Sequence, residues 1–591
     1  MQPVVIIGGG PVGLVSSILL SLQNIPHILF ERHPSTSIHP KACGLNQRTI
    51  EIFRHIGIEA EVLKESAPRN TYTRTAWYTS FGPNGREIHS RDAWGGGKYE
   101  AAFASASPSP YVILPQIRLE PILQRRALKL NPDGLKYGCE VLGIDEKDDH
   151  VIVSVRRADG VAYEMVARYV LGADGGRAVT DWLGIQWQGE KEIFDMVSAH
   201  FRAPLSRHHP DPRVFISWFI NPATGGSIKS GYLYHLGPYP SNPETEEWCF
   251  GCAMLPEDPE RFDTKSTIER IGRTLSIDDL EIDLQSVNHW FVTSIVAERF
   301  RSKTGNVFLV GDAAHRIPPW GALGLNTGIQ EAFNVIWKLG FVLRGHVKTP
   351  EALLDTYDQE RRPIAQRVAK SSLYNLKSHG GAMDRAVGLS TDQTHEENQQ
   401  AIDVCLDPDH SDNPRVRAAI EKAQKVLDSE FGAHGAEIGW FYPSADIDNE
   451  GERTNHDGQI KPDGTLDDLI YHPSTIPGHH LPHAWLQRES SISSTRDLLD
   501  THRFTLITES VAQWEWVSQH SCPIKIEIVD DLGGWTDRDG TWRKLCGVSQ
   551  RGAVLVRPDG IVAWRGDDRD VKLSSILDDF DFPGKTFTAS L

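Results

Sequence analysis

The opening segment, MQPVVIIGGGPVGLVSSILLSLQNIPHILFER, leaves few folds available to this chain. Val4 to Ile7 form a continuous apolar run that reads as a buried strand. Gly8, Gly10 and Gly13 follow in GxGxxG spacing, with Pro11 and Val12 between them. An apolar helix pattern comes next, then a second strand that ends at Glu31, beside Arg32. Glycine spacing alone is a weak signal. A strand before it, a helix after it and an acid about 20 residues further on together specify a dinucleotide-binding βαβ unit. The pyrophosphate would lie on the helix start, and Glu31 is placed for a ribose. Its charge would repel a 2′-phosphate, so the site suits the adenosine of FAD better than that of NADP.

A second stretch, VFLVGDAAHRIPPWGALGLNTGIQEAF, spans Val307 to Phe333. The apolar run VFLVG ends at Asp312, a loop rich in proline and glycine follows, and an apolar helix pattern begins near Asn326 and continues through Ile336 and Leu339. A carboxylate at a strand's carboxyl end can accept from a sugar-like hydroxyl. The free N–H groups expected at Leu325, Asn326 and Thr327 would face an electron-rich or anionic group in front of the helix.

With these residues the chain resembles the flavin-dependent aromatic hydroxylases, class A flavoproteins with the p-hydroxybenzoate hydroxylase fold. The resemblance implies that Gly311 and Asp312 hold the ribityl chain of FAD. It places Gly324, Leu325 and Asn326 at the N1/C2 carbonyl end of the isoalloxazine, where a helix start would stabilise the charge of the reduced flavin. In IHPKACGLNQRTIEIFRHIGI, Asn46 reads as the cap of a helix carrying Ile50, Phe53 and Ile56. Family segments of this kind line the flavin, with an arginine where this chain has Lys41, and Arg48 is expected to face FAD. Cys43 falls where phenol hydroxylase has an aspartate thought to help deprotonate the substrate. That leaves the catalytic base open, with packing as the other reading of Cys43. By the same resemblance, Gln116 in VILPQIRLEPILQRRAL reaches the ribityl chain and Arg118 stands beside it. Asp174 and Gly175 in YVLGADGGRAVTDWLGI match the third fingerprint, which serves both FAD and the nicotinamide cofactor. The family's serine and arginine are missing there, Ala178 and Asp181 standing in the local sequence, and Arg177 is the available substitute.

At 591 residues the chain calls for two to four domains. A net charge of −18, with no basic stripe, argues against a nucleic-acid partner. No run of about 20 apolar residues suggests a membrane span, no leader pattern opens the chain, and seven scattered cysteines suit a reducing compartment. The expectation is a cytoplasmic protein without a metal site. Cys249 and Cys252 form a CxxC in a strand-like run, where residues three apart point to opposite faces, so a redox or zinc role is not expected.

From about 187 to 295 the segments RVFISWFI, SGYLYHLG and WCFGCAML read as strands of a second sheet, with a satellite helix from Lys265 to Leu275. In the family this sheet roofs the flavin, which makes Trp218, Tyr232, Tyr234 and Trp290 candidates for the substrate, with His235 also on offer. Beyond it, Arg361 and Arg362 before Pro363 read as a helix end, Lys377 to Asn413 as a linker or excursion, and Asn413-Pro414 as the cap and start of a helix that stops before Gly432. The strands FTLIT and IKIEIV and the pair in GAVLVRPDGIVAWR resemble the thioredoxin-like C-terminal domain of phenol hydroxylases, without a CxxC. With HAWL near His483 and DTYxxER, they bring dichlorophenol and phenol monooxygenases into the resemblance over nearly the whole chain.

The fold class expected is α/β: a Rossmann-type FAD-binding domain, an interleaved mixed β-sheet substrate domain and a thioredoxin-like C-terminal domain. The divisions are 1–75, 101–186 and 296–375 for FAD binding, 76–100 and 187–295 for substrate, 376–435 for linker and helix, and 436–591 for the last domain. The resemblance implies that NADPH, or NADH, reduces FAD, that O2 adds at C4a, and that the hydroperoxide hydroxylates a small phenolic or aromatic substrate in a homodimeric enzyme. Cys43, His315, Pro318 and Pro319 border the expected reaction centre as catalytic candidates. A Baeyer–Villiger or other oxygenation of a polyketide-like substrate is the first alternative and a non-enzymatic FAD scaffold the second. A halogenase lacks its WxWxIP segment here.

Overall fold

The computed structural model describes residues 1–580 except 223, 256–257, 443–454 and 531. The opening unit folds as strand Gln2–Ile7, helix Pro11–Leu22 and strand His27–Glu31, with the two strands parallel. They belong to a seven-stranded sheet ordered Leu135–Tyr137, His27–Glu31, Gln2–Ile7, Ala162–Gly172, Val151–Arg156 and Glu140–Glu146, with Val307–Leu309 paired to Ala162–Gly172. The second half of Ala162–Gly172 runs parallel to both Gln2–Ile7 and Val307–Leu309. That register brings the carboxyl ends of three strands to one edge, so the turns at Gly8, Ala173 and Gly311 become neighbours although they are far apart in sequence. Ligands of open α/β sheets bind at such an edge.

An eight-stranded sheet, ordered His315–Arg316, Asp283–Ala297, Trp187–Arg202, Glu247–Ala253, Tyr232–Gly237, Val214–Phe219, Arg74–Tyr78 and Glu87–Asp92, faces that edge. Its last two strands come from the early excursion in the chain. Residues directly opposite in the ladder share a face. The pairs Ile216–Tyr234, Trp218–Tyr232, Ser198–Asn288 and Met196–Trp290 thus set Trp218, Tyr232, Tyr234 and Trp290 on one side. Cys249 joins the core on this side and Cys252 the core on the other.

The helical region departs from expectation. Pro363 does not follow a helix end: one helix runs from Pro350 to Ser378 straight through it. An interior proline costs about 3 kcal/mol. Here burial of Tyr357, Arg361, Ile364, Ala365 and Val368 around it offsets the loss. The segment expected as a linker is also helical. A π-helical turn at His379–Asp384 leads to a helix at His395–Leu406, which opens on a capping box between Thr394 and Glu397. The next helix, Asn413–Phe431, has Asp412 as its N-cap. Asn413 instead donates its side-chain amide to the carbonyls of Val404 and Cys405, both at 3.0 Å, and so ties two helices together.

The C-terminal region carries a four-stranded sheet ordered Ile524–Ile528, Phe504–Thr508, Ala553–Val556 and Val562–Gly566, the first pair parallel and the others antiparallel. No helix among the described residues is long and apolar enough to cross a membrane.

Candidate active site

One cleft of about 1170 Å³ runs from Gly8, Gly10 and Glu31 to Trp218, Tyr232, Tyr234 and Trp290, passing Gly311, Asp312, Gly324 and Leu325 on the way. Ligand pockets usually measure about 300–1,000 Å³, so this one has room for a long cofactor with a second molecule at its end.

At the nucleotide end the three glycines do different work. Gly8 has φ +110°, and a Cβ there would lie 2.3 Å from the Ala173 carbonyl oxygen. A Cβ on Gly13 would lie 2.0 Å from the carbonyl oxygen of Gly8, so this glycine lets the helix sit on the strand. Gly10 would meet nothing within 4 Å, because its Cα faces the cleft. The first N–H groups of the helix Pro11–Leu22 have no intrahelical acceptor, and Pro11 and Val12 line the cleft there. Glu31 accepts from the backbone N–H of Gly9 at 2.7 Å and of His33 at 2.8 Å, which holds its carboxylate at the cleft wall, with Arg32 next to it.

Asp174 accepts from the N–H groups of Gly176, Ala178 and Val179 at 3.0, 2.7 and 3.1 Å, so it builds the turn after its strand as well as lining the cleft. Gln116 lines the cleft and donates to Glu120 at 2.6 Å. Arg118 turns away to Glu247 at 3.1 Å. Lys41 and Arg177 are exposed and border the cleft.

The central helix begins at Gly324, two residues before its expected start. Thr327 N–H is therefore already bonded to the Leu323 carbonyl at 2.9 Å. The N–H groups of Gly324, Leu325 and Asn326 are the ones left without an intrahelical partner, and Gly324 and Leu325 face the cleft. Asn326 itself is buried. Its side chain accepts from Asn46 N–H and donates to the Gly44 carbonyl, each at 3.0 Å, which ties the helix start to the segment after Cys43.

Four expected assignments change. Arg48 does not face the cleft: it pairs with Glu51 at 2.9 Å and donates to the Asp559 carbonyl, linking the helix Gln47–His55, capped by Asn46, to the C-terminal region. A cation at a helix start is disfavoured by the helix dipole, and Glu51 offsets that cost. His315 is fully buried behind the cleft, its Nε2 2.9 Å from Glu331, whose other oxygen accepts from Gly311 N–H at 2.8 Å. In this position it supports the turn before Asp312 and does not reach the cleft wall. Pro318 is buried outside the lining, while Pro319 lines the cleft. Cys43 does line it, but burial pushes its thiol up to about 12. A thiol held in its neutral form is a weaker acceptor for a phenolic proton than the aspartate of the resembled enzymes.

All four substrate candidates line the far end. Tyr232 and Tyr234 stack with centroids 6.1 Å apart, and Trp290 donates to Ser198 Oγ at 3.0 Å. Burial raises both tyrosine hydroxyls far above their ordinary range. His235 points elsewhere, against Trp248. Sequence reasoning missed Trp94, Trp320, Phe431, Ser198 and Asn288, which complete this end. The period-two alternation of the strand holding Ser198 could have revealed that residue. Trp94, Trp320 and Phe431 come from loops and a helix end and carry no local signal.

Glycines where a cofactor must pass, helix starts with free N–H groups and an acid for the ribose fit FAD, and they define a dinucleotide-binding flavoprotein. Residues 1–372 match the family model described as FAD binding domain, and residues 474–580 that described as aromatic-ring hydroxylase, C-terminal. Phenol 2-monooxygenase of Pseudomonas sp. (strain EST1001) is 30% identical over 98% of this chain and 93% of its own. A putative polyketide hydroxylase of Streptomyces coelicolor is 29% identical over 95% and 93%. Among solved structures, the flavin-dependent monooxygenase PieE in complex with FAD and substrate superposes with a TM-score of 0.87 at 31% identity over 96% of both chains. The chain belongs to the FAD-dependent aromatic-ring hydroxylases, a monooxygenase family.

Proposed function

We propose that this enzyme hydroxylates a phenolic aromatic ring, with NADPH or NADH as reductant and O2 as oxygen donor. The observation that carries the reading is the single cleft joining a nucleotide end, a free helix start at Gly324 and an aromatic-walled end. Bound FAD supplies the redox and oxygen chemistry. The chain's part is binding, orientation and exclusion of water. Gly324, Leu325 and Asn326 present N–H groups to negative charge, Glu31 and Asp312 receive ribose and ribityl hydroxyls, and Trp218, Tyr232 and Tyr234 grip a flat ring. Asp174, Gly175 and Gln116 shape the wall between these ends. The mixed four-stranded sheet supports a thioredoxin-like reading of residues 436–591, of which 443–454, 531 and 581–591 lie outside the described residues. Its work in this reading is packing and homodimer contact, checked by light scattering.

The test reconstitutes the protein with FAD and follows NADPH and NADH oxidation with phenol, 1-naphthol, 1-hydroxyanthraquinone and a cyclic ketone under labelled dioxygen. The expected result is substrate-stimulated oxidation coupled to a phenol carrying one labelled oxygen. An ester or lactone from the ketone alone would establish the Baeyer–Villiger alternative instead. Bound flavin with no substrate-stimulated oxidation would leave only a scaffold.

A further inference from the structure

The aromatic end of the cleft is backed by a buried polar triad that the reaction does not itself require. His379 opens the π-helical turn after the long helix and is fully buried. Such turns often mark functional positions. Its imidazole lies between two indoles, with its centroid 4.0 Å from that of Trp218, which lines the cleft, and 5.6 Å from that of Trp77, which lies behind. Nδ1 is 2.9 Å from Glu430 Oε1, and Glu430 Oε2 accepts from Arg91 at 2.5 Å. Nε2 has no partner. Arg91 also donates to the Leu427 carbonyl, and its guanidinium stands 5.9 Å from the ring centroid of Phe431, a second cleft-lining residue.

Burying a charged pair costs more than burying an apolar patch of the same volume, so the triad is a poor source of stability. Orientation is what it can supply. A carboxylate fixed by Arg91 accepts one hydrogen bond from one ring nitrogen, which fixes the orientation of His379 and with it the Trp218 indole in contact with it, the two rings tilted by 46°. The adjoining turn is held in the same way, since Asp384 Oδ2 accepts from Ser227 N–H at 3.0 Å, just beyond the strand that carries Trp218.

We propose that His379, anchored by Glu430 and Arg91, is a positioning residue for substrate: it fixes the Trp218 indole and so sets the shape and size of ring system that the far end of the cleft accepts. The proposal rests on the hydroxylase reading for its turnover assay, while a binding assay tests it separately.

The variants are His379→Phe, which keeps a ring between the indoles but gives Glu430 no donor, His379→Gln, which offers a donor without the ring, and Glu430→Gln. Dissociation constants for phenol, 1-naphthol and 1-hydroxyanthraquinone are measured on the FAD-loaded protein from the change in flavin absorbance, beside flavin content and the KM and kcat for turnover. The expected result is retained flavin content and a change in the order of preference among the three probes, with KM rising about tenfold for the best one and kcat changing much less, as for loss of uniform binding. His379→Gln should recover part of the loss seen in His379→Phe, because it restores the bond to Glu430. An unchanged order of preference in all three variants would overturn the proposal, as would a loss of flavin in parallel with the loss of probe affinity. If wild-type protein binds the probes but turns none over, the hydroxylase reading fails, and the dissociation constants still decide the role of His379.

Discussion

Gly13→Ala is expected to lower the thermal stability of the apoprotein and to abolish its retention of FAD, whereas Gly10→Ala should spare the apoprotein and weaken FAD binding alone. The contrast follows from what each new methyl group would meet. At Gly13 it would lie 2.0 Å from the carbonyl oxygen of Gly8, a backbone atom that cannot swing aside, so the helix Pro11–Leu22 would have to leave its strand. Forcing extra volume into packed structure costs about 1–3 kcal/mol, and the helix start that would face the pyrophosphate moves with it. At Gly10 a methyl group meets no protein atom within 4 Å, and φ of −72° is open to alanine. Its cost arises only when a nucleotide passes over the turn. Melting temperatures of the two apoproteins and FAD dissociation constants by fluorescence quenching give the comparison. A Gly10→Ala protein that binds FAD like wild type would mean that the nucleotide takes another path.

The same three glycines show how far the sequence was legible. Their spacing identified the unit because strand and helix periods are local and the residues between them are fixed by backbone geometry. The turns at Asp174 and Asp312 were legible for the same reason. Trp218, Tyr232, Tyr234 and Trp290 were named only because the resemblance puts that sheet over the flavin, and the pairing of separate strands is what sets them on one face. Long-range pairing was not legible. Arg48 looked like a cofactor ligand because its partner, the Asp559 carbonyl, lies 511 positions away. His315 looked catalytic beside Asp312, but Glu331 on the next helix claims it. Pro363 was taken as a helix end from local propensity, which the packing of its neighbours overrides. The capping box at Thr394 and Glu397 was present in the sequence and contradicted a linker there. Thr-x-x-Glu before His395–Leu406 is a helix start whatever the polarity of the segment.

Glu360→Ala is expected to cost about 3–5 kcal/mol, the usual penalty for leaving buried charge without its partner. The Glu360 carboxylate accepts from Lys338 at 2.7 Å, from Asn334 at 2.8 Å and from Arg557 at 2.6 and 3.0 Å. It thus joins the helix that starts at Gly324, the long helix that follows it and the C-terminal region. Arg557 keeps a second partner in Asp559, but Lys338 makes its ion pair with Glu360. Burial works against ionisation of Glu360, yet Arg557 and Lys338 hold its carboxyl far below the usual range. A carboxylate whose pKa is depressed on folding contributes its stability above its unfolded pKa, about 4.3, and loses that contribution as pH falls through the folded value. The gap between wild type and Glu360→Ala should therefore be full at pH 7 and narrow as the solution is acidified below about pH 4. Burial pulls Lys338 down to about 8 even with Glu360 beside it, which shows how much of its charge Glu360 compensates. Pairing Glu360→Leu with Lys338→Met removes both charges and should recover most of the loss, because apolar replacement of a buried pair is often neutral or stabilising. Denaturant melts of the single and double variants at pH 7 and at about pH 3, read by tryptophan emission, test the assignment. Equal midpoints for wild type and Glu360→Ala at pH 7 would show that the network does not hold the C-terminal region in place.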